Sequence, residues 1–328
     1  MAQPVNQARA STAAAPPRIR GGAAAAVLTR RRLEMALGVL WLADGALQWQ
    51  PYMFSRAFFG NMLGMANMGL PGPVSALLFR VTTMLTAHPV IWNAAFAALQ
   101  VAIGVGLLWG RTASLARPVS IAWALAVWVA GEGFGGLFMP GVSALNGAPG
   151  AALLYAVIAL ILWPRRPGDD SVPVSVADAG LLGGRGALWC WTVLWSGLAL
   201  LELGGANHAA GVPAAEVANI GEGEPGWLAG LNRQAGQVLD GHGALFALLA
   251  AVIAIAVGWC VLRPAWRRTA LAAGITVAIA YGVFGQDLGG LLTGQATDPG
   301  TAPLFVLFAL ALWPRRQSSI RTPTTTAG

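Results

Sequence analysis

Apolar runs separated by short polar punctuation recur along the chain, at roughly 33–51, 88–109, 117–138, 148–164, 187–204, 242–262, 268–291 and 299–314. About 20 apolar residues cross the ~30 Å hydrocarbon core of a bilayer as a helix, so each run is read as a membrane span, the last being the shortest. Two less hydrophobic segments, 52–87 and 205–241, carry Gly and Pro. They are expected to form interfacial helices or a cap over the outer mouth. Residues 1–32 are Ala/Pro-rich with scattered Arg and predict a disordered tail. Residues 167–186 form a polar, glycine-rich linker, and 317–328 a second tail. The pattern predicts an all-α membrane protein whose eight transmembrane helices form two tandem four-helix bundles, 33–166 and 187–316.

Composition fits lipid as the solvent: 56% of the 328 residues are hydrophobic and only 10% charged, against about 25% charged in soluble domains. Mean hydropathy is +0.62. The net charge of +7 could signal nucleic acid, but the basic residues cluster beside the apolar runs, which is how topology is encoded, and no nucleic-acid partner is expected. Placing the N-terminus in the cytoplasm puts all of the twenty arginines inside except Arg56, Arg80 and Arg233. Both termini are therefore expected in the cytoplasm of a multi-pass inner (plasma) membrane protein, with the lipid bilayer as its surroundings. The run Arg30–Arg32 resembles a twin-arginine signal, yet Glu34 follows closely and no small-residue cleavage site closes the apolar run, so a retained helix is expected. Cys190 and Cys260 fall at cytoplasmic helix ends, where a disulfide is not expected.

Setting residue n against n+154 aligns the halves without a gap from Trp41 to Leu137. Trp41/Trp195, Pro71/Pro225, His88/His242, Gly104/Gly258, Gly131/Gly285 and Gly135/Gly289 are identical. After a short deletion the offset becomes 150, and LWPRR at 162–166 recurs whole at 312–316. Two of the chain's three histidines fall in register. A unit with an even number of spans repeats in the same orientation, so the repeats are parallel, related by an axis along the membrane normal. Gly131 and Gly135, like Gly285 and Gly289, are expected to let a neighbouring helix approach closely.

A carboxyl at mid-bilayer costs about 2.5–3.5 kcal/mol on insertion scales, so intramembrane acids mark candidate sites. Asp44 and Gln48 lie one turn apart on the first span, Glu132 is expected about fifteen residues into the third, and His88 opens the second. In the second half, Glu202 aligns with Gln48, His242 with His88 and Gln286 with Glu132, and Asp287 follows. Both halves thus gather acid, amide and imidazole at an outer mouth. The gathering is expected either to form an outward-facing pocket for a proton, a metal ion or a polar headgroup, or to satisfy buried hydrogen bonds. Met62, Met65 and Met68, at three-residue spacing, offer thioethers suited to Cu(I), or else adaptable apolar filling. No phosphate-binding loop, HExxH, paired CxxC or GxSxG occurs. Tryptophans near span ends, including Trp41, Trp163 and Trp313, are expected to anchor at the interface.

Four stretches, WLADGALQWQPYMF (41–54), HPVIWNAAFA (88–97), GEGFGGL (131–137) and GAPGAALLY (147–155), together with the four-helix unit opening on basic residues, resemble the DoxX-like superfamily of membrane proteins. The likeness covers the first half well and the second in degenerate form. It implies a membrane subunit supporting quinone-linked redox chemistry with a membrane or periplasmic partner protein, and no residue role transfers with it. A small-solute, metal-ion or proton-coupled transporter and a non-catalytic scaffold or assembly factor are the alternatives, with quinone or copper as the candidate cofactors. Oligomeric state is not legible.

Overall fold

The computed structural model describes residues 28–165, 174–219 and 224–315. Of the tails expected at 1–32 and 317–328, residues 1–27 and all of the second lie outside the described residues, as does part of the 167–186 linker, whereas Arg30–Arg32 already belong to a helix. Among the described residues the chain is all helical, with twelve α-helices and no strand beyond a single bridge between Pro164 and Gly180. In the first half these are α1 (Arg30–Leu47), α2 (Arg56–Ala66), α3 (Gly72–Ala87), α4 (Pro89–Leu108), α5 (Ala113–Ala130) and α6 (Ala151–Ile161). The second half contains α7 (Gly183–Glu202), α8 (Val212–Asn219), α9 (Gly226–Leu239), α10 (Gly243–Cys260), α11 (Arg267–Phe284) and α12 (Ala302–Leu312).

Helix starts follow from local chemistry. The Thr29 hydroxyl accepts a hydrogen bond from the Arg32 amide (3.2 Å) at the head of α1. Proline opens α4, where its missing N–H costs nothing. Three helices, α4, α5 and α10, are long and apolar enough to cross a membrane. The fourth helix of each half is shorter than its apolar run predicts. Both α6 and α12 have eleven residues, about 16 Å of rise. Hydrophobic on every side, they are buried nearly throughout, as a helix apolar all round must be.

Helix α1 lies along α4, α4 along α5, α5 along α6, and α6 returns to α1. The same order of contacts links α7, α10, α11 and α12. Helix α12 also packs on α6 and α1, so one core runs through both halves, from Leu37 and Trp41 through Leu154 and Ile158 to Trp191 and Phe308. Close approach explains particular glycines: a Cβ on Gly104 would strike Gly38 and Leu42, and one on Gly258 would strike Trp195. Hairpins α2–α3 and α8–α9 fill the two segments expected to cap the mouth. The first of these builds a separate apolar cluster around Phe58, Phe59, Leu63 and Leu85.

One expectation about the third helix of each half needs correction. Helix α5 stops at Ala130, so Glu132 is not inside it, and Gly131–Gly135 is not a helix-packing stripe. Gly133, Phe134, Gly135 and Gly136 instead take φ of 53°, 61°, 65° and 73°. Their partners 154 residues on, Asp287, Leu288, Gly289 and Gly290, take 52°, 52°, 75° and 67°. Four successive left-handed residues end the helix and turn the chain back on itself, and three of the first four are glycine, which alone adopts that region freely. The turn brings Gly135 so close to Pro149, and Gly289 so close to Pro299, that neither has room for a Cβ.

Trp41 also departs from its expected place. It is buried, donates through Nε1 to Ser120 Oγ (2.9 Å) and lies 4.3 Å from the ring of Tyr155, so it belongs to the core and not to an interface. Trp163 and Trp313 are half-buried.

At the end where α1 begins and α6 ends, arginines cover helix C-termini. Arg30 donates to the carbonyl of Leu162 (3.5 Å), Arg31 to those of Leu107 and Leu108, Arg267 to Val261 (3.0 Å) and Arg268 to Pro314 (3.3 Å). Cations there complement the helix dipole and its unpaired carbonyls. Glu34, 2% exposed, pairs with both Arg31 and Arg117.

Candidate functional site

The opposite end holds two connected cavities. The shallower, of about 520 Å³, lies between the halves, lined by the left-handed turns and the loops after them, with Glu132 and Asn146 from one half and Gln286, Asp298 and Thr301 from the other. The deeper, of about 360 Å³, lies inside the first half, enclosed by α1, α4, α5 and α6 and roofed by α2–α3. Glu132, Ala151 and Asp298 line both, so the two carboxyls stand at the passage between vestibule and chamber.

Seven aromatic side chains and two methionines line the chamber. Phe59, Trp92, Phe96 and Trp123 form a chain of ring contacts in which Phe96 touches the other three, its centroid 5.0 Å from that of Trp123. Trp41 and Tyr155 close the floor. Into this surface project Asp44 and Gln48 from α1, Gln100 from α4, Tyr155 from α6 and Asp298 from the far half. Asp44, Gln48 and Gln100 are 3%, 6% and 7% exposed. Buried polar atoms are almost always paired. Here Gln100 Oε1, Glu132 Oε2 and Trp123 Nε1 have no hydrogen-bond partner, while Asp44 Oδ1 and the Tyr155 hydroxyl make no well-formed bond although the two side chains are near enough to interact with each other.

Glu132 has a structural duty as well. Its Oε1 accepts the backbone N–H of Ala152 (3.0 Å) at the start of α6, satisfying a donor the helix cannot satisfy itself. In the second half, Gln286 Oε1 accepts from the amide and hydroxyl of Thr301 (both 2.9 Å) at the start of α12. Acid and amide perform the same capping at matched positions.

The loops before α6 and α12 each cross to the other half. Ala144 donates its N–H to Glu202 Oε1 (2.9 Å), and Asn207 donates to the Val142 carbonyl (3.0 Å), so the first half's loop sits over the second. Reciprocally, Gln50 donates to the Ala296 carbonyl (3.1 Å), and Thr297 and Asp298 enter the first half's chamber. Asp298 belongs to the loop between α11 and α12, outside the helices. Its carboxyl oxygens accept from Thr297 (2.9 Å) and the Gly300 N–H (2.8 Å), and burial pushes its pKa up from the ordinary carboxylate range.

Of the residues singled out from sequence, Asp44, Gln48 and Glu132 meet in the chamber, and Gln286 faces the vestibule. Glu202 is buried beneath the crossing loop. Asp287 is buried in its left-handed turn, lining neither cavity. His88 and His242 both sit at helix starts, immediately before α4 and α10, exposed and outside the chamber. Met62 lines the chamber, whereas Met65 and Met68 are 59% and 49% exposed. Among the described residues no group of three or more His, Cys, Asp or Glu is arranged to hold a metal.

Gln100, Trp123, Tyr155 and Asp298 escaped the sequence reading. Gln100 carried a usable signal, a lone amide in the middle of an apolar run. Asp298 carried none, because its role depends on a loop crossing between halves. Four of the chamber's polar residues have apolar counterparts in the second half, Asp44 corresponding to Leu198, Gln100 to Ala254, Trp123 to Val277 and Tyr155 to Phe305, while Gln48 and Glu132 correspond to the polar Glu202 and Gln286.

The chain matches no protein-family model, no curated protein and no solved structure.

Proposed function

We propose that this is a multi-pass membrane protein of two fused, parallel four-helix units, that it binds a small organic solute in the first unit, and that the second unit acts mainly as scaffold and lid. The observation that carries the reading is the chamber itself: enclosed, aromatic-walled and furnished with three buried polar atoms that lack partners. An unpaired buried polar group costs about 1–3 kcal/mol. Three gathered in one cavity are a poor arrangement for stability and a good one for a ligand. Duplication accounts for the matched left-handed turns and the matched caps at Glu132 and Gln286. The full polar set is present in one unit alone, the other keeping polar residues only at Glu202 and Gln286.

The solute enters by the vestibule, passes Glu132 and Asp298, and is held above the floor formed by Trp41 and Tyr155. Below Asp44 the core is apolar as far as the Glu34–Arg117 pair, ten residues earlier on α1, about 15 Å of helix rise. That end is closed, so the site is accessible from the outside only, and any transport requires the bundle to rearrange. With both termini in the cytoplasm, the arginine-covered end is the inner one. Reporter fusions at Gly168 and at the C-terminus are then cytoplasmic, and those at Ala144 and Ala214 external. An external Gly168 would remove the scheme.

The candidate cofactors fare differently. Copper does not fit, because only Met62 of the three methionines faces the chamber. A quinone ring is the second reading, in keeping with the DoxX-like resemblance. What favours it is a pair of donors without a well-formed bond, Trp123 Nε1 and the Tyr155 hydroxyl, either of which could bind a ring carbonyl.

The test is a binding screen on purified protein in micelles, covering organic cations, neutral aromatics and short-chain quinones. It is read by intrinsic tryptophan fluorescence and by the unfolding midpoint. Binding to the wild type that is abolished by narrowing the chamber with Ala130→Phe, in protein that stays monodisperse, is the expected result. No response to any compound class would overturn the reading.

A further inference from the structure

We propose that the chamber selects a small organic cation with apolar substituents, such as a quaternary ammonium or a protonated aromatic amine. The inference rests on the chamber being a ligand site and concerns the charge of its occupant.

Three carboxyls converge there. Asp44, Glu132 and Asp298 come from α1, from the turn after α5 and from the crossing loop, close enough for Asp44 to feel the charge of both others. No basic residue lines the cavity. The arginines of α2 and α3, Arg56 and Arg80, are exposed, as is His88, and Glu34 takes Arg31 and Arg117 at the other end of the bundle. Acids gathered away from water without a counter-charge repel one another, and they are held together only if something positive joins them or protons do. Asp44 is the strongest indication: it is almost wholly buried, and one of its oxygens makes no well-formed bond. Gln100, equally deep, leaves its acceptor oxygen unpaired.

The walls decide what kind of cation is accepted. A hydrated metal ion needs several oxygen ligands in a tight shell, and the described residues provide no such cluster. Indole and phenyl faces instead attract a large, weakly hydrated cation through their negative ring faces, and they bury its alkyl or aryl groups at the same time. Trp41, Trp92, Trp123 and Phe96 supply those faces around the acids. The second half shows the selection from the other side. With Leu198 and Gln286 where the first half has Asp44 and Glu132, it lacks both acids, and Val277 stands where the first half has Trp123.

The probe pair is benzyltrimethylammonium and neopentylbenzene, which share one shape and differ in charge. The full-length protein in micelles is titrated with each, following tryptophan fluorescence. The cation is expected to bind at least tenfold more tightly than its neutral isostere. Asp298→Asn and Asp44→Asn should each weaken the cation about tenfold or more while leaving the isostere unchanged. Because Asp44→Asn sits in the core and endangers folding, Asp298→Asn at the chamber mouth carries the comparison if the first variant is not monodisperse. Equal binding of both probes, unmoved by either substitution, would overturn the cation proposal and leave the chamber standing as a site for neutral molecules. If neither probe binds while a quinone does, the charge preference is equally wrong and the second reading above takes its place. If the whole screen is silent, the chamber reading fails as well.

Discussion

Replacing Glu132 separates two roles the structure gives one carboxyl. Its Oε1 caps α6 by accepting the Ala152 N–H, while its Oε2 faces the cavities without a partner. Glutamine keeps the acceptor and loses the charge, and the second half already shows an amide doing this work, Gln286 accepting from Thr301 at 2.9 Å. Glu132→Gln should therefore fold within about 0.5 kcal/mol of the wild type, the usual range for changes that break no structural feature. Glu132→Ala removes the cap, worth roughly 1 kcal/mol, and strands the N–H of Ala152, itself buried, for a total of about 2 kcal/mol. At about 2–4 °C per kcal/mol for a chain of this size class, the alanine variant should unfold about 4–8 °C lower. Unfolding midpoints in one detergent, with yield and monodispersity as controls, read the difference. Titration with benzyltrimethylammonium then reads the charge, and the glutamine variant should bind less tightly despite its normal stability. A glutamine variant as unstable as the alanine one would refute the capping argument. A stable glutamine variant with undiminished affinity would remove the carboxyl from the site.

Three further outcomes follow from the same geometry. Gly150 has φ of 96° and its absent Cβ points at the Glu132 carboxyl, so Gly150→Ala should cost about 1–3 kcal/mol of strain and displace the cap, seen as a lower midpoint and poor yield. Gly300→Ala, where the same atom would stand 2.9 Å from Gln286 Oε1, should do less harm. Removing Arg117 leaves the buried Glu34 with Arg31 as its remaining partner, so the loss should stay below the roughly 3–5 kcal/mol of an uncompensated buried charge, and Glu34→Met combined with Arg117→Met should recover most of it; a double variant no better than the single would contradict this. The pKa of Asp298 is raised by burial, so folding favours its protonated form. Its contribution is complete below the ordinary carboxylate pKa and declines as pH rises through the raised value. The ligand-free protein should therefore lose stability over that range. Asp298→Asn should reduce the slope of the profile without abolishing it, since Asp44, Glu132 and the buried acids of the second half still contribute.

The legible part of this protein was what periodicity and composition control. Each predicted apolar run contains a helix, and the arginines that mark one end of the runs do gather at one end of the molecule. The runs overstate helix length at α6 and α12 by a few residues at each end, and more markedly after Ala130 and Phe284, because Phe134 and Leu288 look like continuing helix in a hydropathy profile. The left-handed turn is written in the glycines, GEGFGGL and GQDLGGL, which were read as a packing stripe since Gly-x3-Gly serves both purposes. Asp44 and Glu132 stood out because acids are rare in such surroundings. Tyr155 and Trp123 did not, since aromatic residues are unremarked in apolar runs until their polar atoms prove to lack well-formed bonds.

The crossing loops change what the proposed duplication would mean. If each half were a self-sufficient unit, the chamber would be built from one of them, and losing the second would cost only stability. Instead, one of the chamber's three acids, Asp298, is delivered by the second half, and the acid at the end of α7, Glu202, is hydrogen-bonded by the first half's Ala144. Each half therefore closes the mouth of the other. Such reciprocity frees the two mouths to evolve separately: the second half can replace Asp44, Gln100 and Tyr155 by Leu198, Ala254 and Phe305 without disturbing the loop it sends across. The expected consequence is asymmetric sensitivity. A polar-to-apolar change at Gln100, whose acceptor oxygen makes no structural bond, should weaken binding more than folding, whereas changes to the second half matter for binding chiefly through the loop that carries Thr297 and Asp298.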